Sequence, residues 1–111
     1  MNDASAASVF AALANETRLA IVRRLVVAGP SGMAAGELAA AVGASPSRAS
    51  FHLAALSEVG VIASERSSRR MLYRADFGAL GALAAYFLSD CCRDAPEVRS
   101  CCGLVAGSAR P

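Results

Sequence analysis

The sequence predicts a mainly α-helical fold with one small β-hairpin. Before residue 60, segments with apolar residues at helical spacing alternate with polar caps and glycine breaks. Between residues 61 and 74 the pattern changes to two short strands, and helical spacing returns over 77–90. A chain of 111 residues has room for one domain with one modest core.

The first two predicted helices cover residues 4–13 and 16–28. Asn15 is a preferred N-cap for the second, because its side chain can accept from a free N–H of the first turn. Glycine and proline at 29–32 end that helix. The positions expected to be buried are Val9, Phe10 and Leu13 in the first helix and Ile21, Val22, Leu25 and Val26 in the second.

A third helix over 35–42 and a fourth from Ser45 follow one brief extended residue, Met33. Gly43 suits a left-handed cap at the end of the third helix. Ser45 followed by Pro46 suits a helix start, because serine caps the first turn and proline fits the first helical position. The fourth helix runs toward Gly60, and its expected apolar stripe is Ala49, Leu53 and Leu56.

The hairpin is predicted as strands over 61–65 and 70–74 joined by a turn at 66–69. Asp76 is the expected N-cap of a last helix over 77–90, whose apolar positions are Leu80, Leu83, Tyr86 and Phe87. Residues 91–111 show no helical period and are predicted to be irregular. We therefore expect one folded unit over 1–90 and a cysteine-bearing tail over 91–111.

The start of the fourth helix carries hydrogen-bond donors and no anion. Ser47, Arg48, Ser50 and Phe51 lie opposite the apolar stripe, with His52 at its edge, and the first carboxylate in this helix is Glu58. A helix with such a face can enter the major groove of DNA.

Charge and hydropathy narrow the function class. Net charge is only +2, but residues 45–74 hold five arginines against two glutamates, and all eleven basic residues are arginine. Arginine binds phosphate and guanine with a bidentate fork.

No apolar run approaches the roughly 20 residues that a membrane span needs, and the N-terminus lacks the basic start of a secretory signal. We expect a cytoplasmic protein without a membrane partner.

The order of helices, turn and hairpin is that of a winged helix-turn-helix, and the chain resembles the ArsR/SmtB family of bacterial metal- and metalloid-responsive repressors. The resemblance covers about residues 9–87. It is carried by residues 13–19 (LANETRL), 36–39 (GELA), 45–56 (SPSRASFHLAAL), 60–62 (GVI) and, in the wing, 72–74 (LYR).

The resemblance implies a non-enzymatic homodimer joined through its first and last helices and bound to near-palindromic double-stranded operator DNA. It implies that the fourth helix faces the groove and that wing arginines touch backbone or minor groove. The alternative interpretation of the wing arginines is a solvated hairpin that contacts no DNA. Phe51 either presses on a thymine methyl or folds back on the core, and His52 packs or hydrogen-bonds rather than binding metal. The DNA-binding set is Ser45, Ser47, Arg48, Ser50, Phe51, His52, Arg66, Arg69 and Arg70.

The cysteines form two adjacent pairs, Cys91-Cys92 and Cys101-Cys102, with eight residues between them. In a cytosolic protein these thiols stay reduced, so they form a soft-ligand set suited to As(III) or Sb(III), and also to zinc, cadmium or lead. Arg93 and Arg99 are expected to favour the thiolate form.

The family resemblance is specific to a branch of arsenic repressors with a cysteine pair just past the last helix. It implies an As(III) site of Cys91, Cys92 and either Cys101 or Cys102. The family's other arsenic site, at the start of the third helix, has no sulfur here, and the last helix lacks the Asp/His ligand set of the zinc-sensing branch. The predicted function is a repressor that As(III) or Sb(III) releases from the operator of an arsenic-resistance operon.

Other interpretations stay open at this point. A disulfide between the two cysteine pairs would make a thiol redox switch, and Cd, Pb or Zn could replace arsenic. A partner protein could dock on the tail instead, or the cysteines could be incidental. A small cysteine enzyme is disfavoured, because the chain has no Cys-x-x-Cys motif and no histidine near its thiols in sequence.

Overall fold

The structure, a computed structural model, describes residues 1–103. Within that range the elements are α1 (Asp3–Leu13), α2 (Glu16–Ala28), β1 (Met33–Ala34), α3 (Ala35–Val42), α4 (Pro46–Glu58), β2 (Ile62–Ser67), β3 (Arg70–Ala75), α5 (Phe77–Ala85) and α6 (Pro96–Cys101). A 3-10 turn, Gly29–Ser31, follows α2, and a π-helical segment, Tyr86–Cys91, continues α5. None of the helices in this range is both long enough and apolar enough to cross a membrane.

Side-chain caps start α2, α4 and α5 where the sequence predicts. Each cap accepts from the backbone N–H three residues ahead, Asn15 at 3.0 Å, Ser45 at 3.3 Å and Asp76 at 2.9 Å. The start of α3 has no such cap, and there the Glu37 carboxylate accepts from the backbone N–H of Ala34 at 2.8 Å. These bonds are local, which explains why the helix starts could be predicted.

The sheet is antiparallel with the strand order β1-β3-β2. The hairpin pairs run from Ile62↔Ala75 to Ser67↔Arg70, so both strands are longer than predicted and the turn shrinks to two residues. Ser68 in that turn has a positive φ of 58°. The strand residues next to this turn are exposed, and only Ile62 and Ala75 at the other end are buried, so the hairpin forms a wing.

Gly32 sits where the chain enters β1 and allows a close backbone approach. Its φ is 66°, and a Cβ added there would lie 2.6 Å from the carbonyl oxygen of Tyr73 in β3. Met33 then pairs with Tyr73 in the sheet. Only glycine fits this position without displacing the strand.

The core lies between α2, α3, α4 and the base of the wing. Its most deeply buried side chains are Ile21, Leu25, Leu38, Leu53, Leu56 and Val61, each less than 2 % exposed. The predicted stripe of α4 is confirmed. Three predicted core positions are wrong for the isolated chain, because Phe10, Val26 and Phe87 are 41–44 % exposed.

The last predicted helix changes form before it ends. From Tyr86 onward it widens into the π-helical segment, where the N–H of Cys92 donates to the carbonyl of Phe87 at 2.9 Å. The tail was predicted to be irregular, and for residues 96–101 that is wrong, because they form α6. Residues 104–111 of the predicted tail lie outside the described residues, and the division at residue 90 stays a prediction.

Candidate nucleic-acid interface and thiol cluster

Helices α3 and α4 and the short turn between them form the helix-turn-helix. Gly43 ends α3 in the left-handed conformation, with φ 68° and ψ 31°, and Ser45 caps α4 two residues later. The buried stripe of α4 then packs against the core. Because one face of α4 is fixed in this way, its opposite face is left open at the N-terminal end.

That open face holds most of the predicted DNA-binding residues. Ser47, Arg48, Ser50 and Phe51 are exposed, and Ser45 is exposed but used as the helix cap. An open depression on this face is lined by Ser47, Arg48, Phe51 and His52. The face thus combines a hydroxyl, a guanidinium and an aromatic ring without an anion, which matches the requirements of a groove-reading helix.

His52 does not share this exposed face, so its placement there from sequence was wrong. Its residue is only 6 % exposed, and its Nδ1 atom accepts from Nε of Arg18 at 3.0 Å. Burial, followed by the charges of Arg18 and Arg48, lowers the pKa of His52 below its ordinary 6.5. The alternative that His52 packs and hydrogen-bonds is confirmed.

Phe51 is 66 % exposed and does not fold back on the core. The guanidinium carbon of Arg18 lies 5.6 Å from the centroid of its ring, within the range of a cation–π contact. The role of Arg18 was missed from sequence. It lies inside the segment 13–19 that carries the family resemblance, but no local signal pairs residue 18 with residues more than thirty positions away.

The wing arginines are only partly free. Arg66 and Arg69 are exposed near the hairpin tip. Arg70 pairs with Glu37 of α3 at 2.8 Å, and since both side chains are more than half exposed, this pair contributes little to stability. Arg74 pairs with Glu65 across the hairpin at 2.5 Å, so at its base the hairpin carries an internal ion pair.

Cys91 and Cys92 lie where the π-helical segment ends, and Cys101 and Cys102 lie at the end of α6. Cys91, Cys101 and Cys102 are exposed and Cys92 is half-buried. The pKa of Cys92 is raised, mainly by burial. Smaller contributions in the same direction come from the charge of Cys91, from hydrogen bonding with Cys91 and from the charge of Cys102. Across residues 1–103, however, no three His, Cys, Asp or Glu side chains are close enough together to hold a metal ion.

The expected activation of the thiols by arginine is wrong for Cys92, whose pKa is raised. Arg99 instead donates from Nε to the Asp94 carboxylate at 3.0 Å and from Nη2 to Ser89 at 3.3 Å. Ser89 also donates to Asp94 at 3.0 Å. Arg99 and then Ser89 hold the pKa of Asp94 below its ordinary range. This network ties α6 to the π-helical segment.

A second set of contacts joins the π-helical segment to α1. The hydroxyl of Tyr86 donates to the Asp3 carboxylate, a bond that is the main cause of a Tyr86 pKa of about 12. Phe10 of α1 meets Phe87 edge to face, with ring centroids 5.9 Å apart. The two rings, both exposed, form an apolar surface shared by the first helix and the end of the last one.

Comparison with known proteins identifies the family. The family described as a helix-turn-helix domain matches residues 13–65. The HTH-type transcriptional regulator YgaV of Escherichia coli K12 is 36 % identical over 80 residues, which cover 72 % of this chain and 79 % of YgaV.

Three solved structures agree with that match. The ArsR-like transcriptional regulator from Rhodococcus sp. RHA1 superposes with a TM-score of 0.72 at 28 % identity, covering 95 % of this chain and 96 % of its own. The homodimeric winged helix-turn-helix domain Mb0332 from Mycobacterium bovis has a TM-score of 0.60 at 28 % identity, and the match covers 81 % of this chain and 93 % of Mb0332. A possible transcriptional regulator for arsenical resistance has a TM-score of 0.62 at 34 % identity, and the match covers 74 % of this chain and 81 % of that regulator. The chain therefore belongs to the ArsR/SmtB family of winged helix-turn-helix transcriptional regulators.

Proposed function

We propose that this protein is a cytoplasmic repressor that binds operator DNA as a homodimer and is released when As(III) or Sb(III) binds its C-terminal thiols. The observation that carries the proposal is the position of the thiols. Cys91 ends the π-helical segment and Cys92 follows it, while Tyr86 and Phe87 of the same segment contact Asp3 and Phe10 of α1. Cys101 and Cys102 lie at the end of α6. A ligand bound there acts on the part of the fold expected to form the dimer.

The open face of α4 and the wing support operator binding. Serines and Arg48 on α4 offer hydrogen bonds to base edges, while Arg66 and Arg69 on the wing offer salt-dependent phosphate contacts. Two such helices in one dimer would read half-sites about one DNA turn apart. Ser47, Arg48, Ser50 and Phe51 are the proposed base-reading residues.

The apolar surface around Phe10 and Phe87 supports dimerisation through α1 and the end of the last helix. Apolar residues at core spacing that remain exposed in a single chain suit burial against a second copy. The similar domain from Mycobacterium bovis is homodimeric.

The chemistry of the thiols fits a trivalent metalloid. Thiolate sulfur is the donor that soft ions prefer, and the charges of Cys91 and Cys102 both act on Cys92. We therefore propose Cys91, Cys92 and Cys102 as the residues that would hold As(III), which supplies a soft centre able to bind three sulfurs. The similarity to a possible regulator for arsenical resistance supports the same ligand.

Coupling between the thiols and the dimer follows from the surrounding contacts. Since no three ligands stand together within residues 1–103, binding requires Cys102 to move toward Cys92. Cys102 directly follows α6, and α6 carries Arg99, so we propose that this movement rearranges the Ser89–Asp94–Arg99 network. Ser89 belongs to the π-helical segment, whose Tyr86 is bonded to Asp3 of α1. A rearrangement of that segment thereby alters the packing of α1, and with it the spacing of the two α4 helices.

The test is an operator-binding titration with arsenite under a phosphine reductant, because dithiol reductants chelate arsenite. The wild-type chain is expected to lose affinity 5- to 150-fold, the usual range of allosteric coupling. Cys91→Ser, Cys92→Ser and Cys102→Ser should bind DNA normally and keep their affinity in arsenite. Cys101→Ser is the matched control and should respond like wild type. Release of Cys91→Ser or Cys92→Ser by arsenite would contradict the assigned site.

A thiol redox switch is the second candidate, favoured by the influence of both Cys91 and Cys102 on the thiol of Cys92. In that case two thiols would be oxidised to a disulfide while peroxide is reduced to water. Peroxide would then release the DNA and a dithiol would restore binding, whereas arsenite with full reduction would have no effect.

A further inference from the structure

Arg18 is a fixed part of the surface beside the open face of α4, although it belongs to α2. Its Nε donates to Nδ1 of His52 at 3.0 Å, and its Nη1 donates to the carbonyl of Ala12 at 3.3 Å. Bonds at two nitrogens fix the plane of the guanidinium. Both partners are neutral acceptors, since the lowered pKa keeps His52 uncharged near neutral pH.

The ring of Phe51 rests against this fixed group. Its centroid lies 5.6 Å from Cζ of Arg18 and 5.8 Å from the ring of His52, at an interplanar angle of 62°. Phe51 is nevertheless 66 % exposed, so most of its surface is free to contact a partner. These contacts restrict its rotamers before any partner arrives, so little conformational entropy is lost when it makes a contact.

We propose that Phe51 reads the 5-methyl group of a thymine in each operator half-site and that Arg18 is the positioning residue that holds the ring for this contact. In the major groove the thymine methyl is the apolar group that distinguishes one base from the others, and an apolar side chain is what recognises it. Ser47 and Arg48 flank the ring in the same depression and can bond the neighbouring base edges or phosphate. The inference rests on the proposed function, because it requires an operator.

The experiment first selects a binding site from a random duplex pool with the full chain. Thymines in that site are then replaced one at a time by deoxyuridine, which pairs identically and lacks only the methyl group. Burial of one methyl group corresponds to about fourfold in affinity. We therefore expect one thymine per half-site whose replacement weakens wild-type binding about fourfold, and about 15-fold when both half-sites are changed.

The variants separate reading from positioning. Phe51→Ala should bind thymine and deoxyuridine operators equally well. Arg18→Gln should lower the ratio of affinities for the thymine and deoxyuridine operators toward one, in a protein that a melting curve shows to be folded. Arg18→Lys replaces it if the glutamine variant does not fold. Arg48→Gln is the matched control, which should weaken binding to both operators and keep their ratio.

The outcomes are distinct. The inference is overturned if Phe51→Ala keeps the wild-type ratio of affinities for the thymine and deoxyuridine operators. It is also overturned if no thymine replacement weakens wild-type binding. In both cases operator binding itself stands. A ratio retained by a folded Arg18 variant overturns the positioning role. If no duplex is selected by the wild-type chain, the proposed operator binding fails, and the inference fails with it.

Discussion

Replacing Phe87 by alanine tests whether the end of the last helix is a dimer surface. Phe87 is 44 % exposed in the single chain, and its ring contacts Phe10, which is 41 % exposed. An aromatic side chain has roughly 200 Å² of surface, so Phe87 leaves roughly 90 Å² uncovered. In a symmetric dimer the residue occurs twice, which makes roughly 180 Å² of apolar surface available for burial.

At about 25 cal/mol per Å² this area corresponds to ~4.5 kcal/mol per dimer. Association converts only part of buried area into affinity, so we take about half, ~2 kcal/mol, or about 30-fold in the dimer dissociation constant. Sedimentation velocity over a concentration series measures that constant directly. Phe87→Ala is expected to dissociate at concentrations at which the wild type remains dimeric.

Phe51→Ala is the matched control, because it makes the same substitution at a more exposed phenylalanine on α4, away from this surface. It should leave the dimer constant unchanged. A Phe87→Ala protein that dimerises within threefold of wild type, or a Phe51→Ala protein that is weakened equally, would refute the assignment of this surface.

Three further predictions concern the fold and its titration. Gly32→Ala should lower the urea midpoint more than Gly43→Ala, for which positive φ alone costs about 1–2 kcal/mol, because only Gly32 also faces a backbone oxygen at 2.6 Å. The pKa of His52 is lowered in the folded chain, so as the pH falls below 6.5 the unfolded chain takes up the proton first. The free energy of unfolding should therefore fall on acidification. This one group contributes at most about 1.4 kcal/mol per pH unit. Asp94→Asn should speed amide hydrogen exchange in α6, because it removes the charged partner of Arg99.

Each of these has its own control. Equal midpoints for the two glycine variants would show that the strand yields to the added methyl. His52→Gln should have a shallower loss of stability between pH 7 and pH 5.5 than wild type, and parallel curves would show that His52 is not the titrating group. Asp90→Asn changes a nearby exposed carboxylate and should leave exchange in α6 unaltered.

The helix starts and the helix-turn-helix were predictable because their determinants are local. Asn15, Ser45 and Asp76 each bond a backbone group three residues ahead, and the apolar stripe of α4 repeats along one helix. The bounds of α2 and α3 agree with the predicted ones, because Asn15 starts α2 and Gly43 ends α3. The length of the strands was underestimated, because pairing in a hairpin continues wherever a tight turn permits it.

The surface assignments that failed depend on partners distant in sequence. The buried ring of His52 is bonded by Arg18, 34 positions earlier, and Arg70 pairs with Glu37, 33 positions earlier. Similarly, the end of the last helix is held by Asp3, 83 positions from Tyr86. No periodicity or cap signal encodes such pairs.

The order of the helices and the wing, the donor-rich face of α4 and the two cysteine pairs could all be recognised from local sequence patterns. Three features became visible only in the folded chain: which α4 side chains are open to a partner, the bond of Arg99 to Asp94 in place of thiol activation, and the widening of the helix after α5 before Cys92. The physical reason is that burial and side-chain pairing depend on which elements meet in space, and that follows from packing the whole chain.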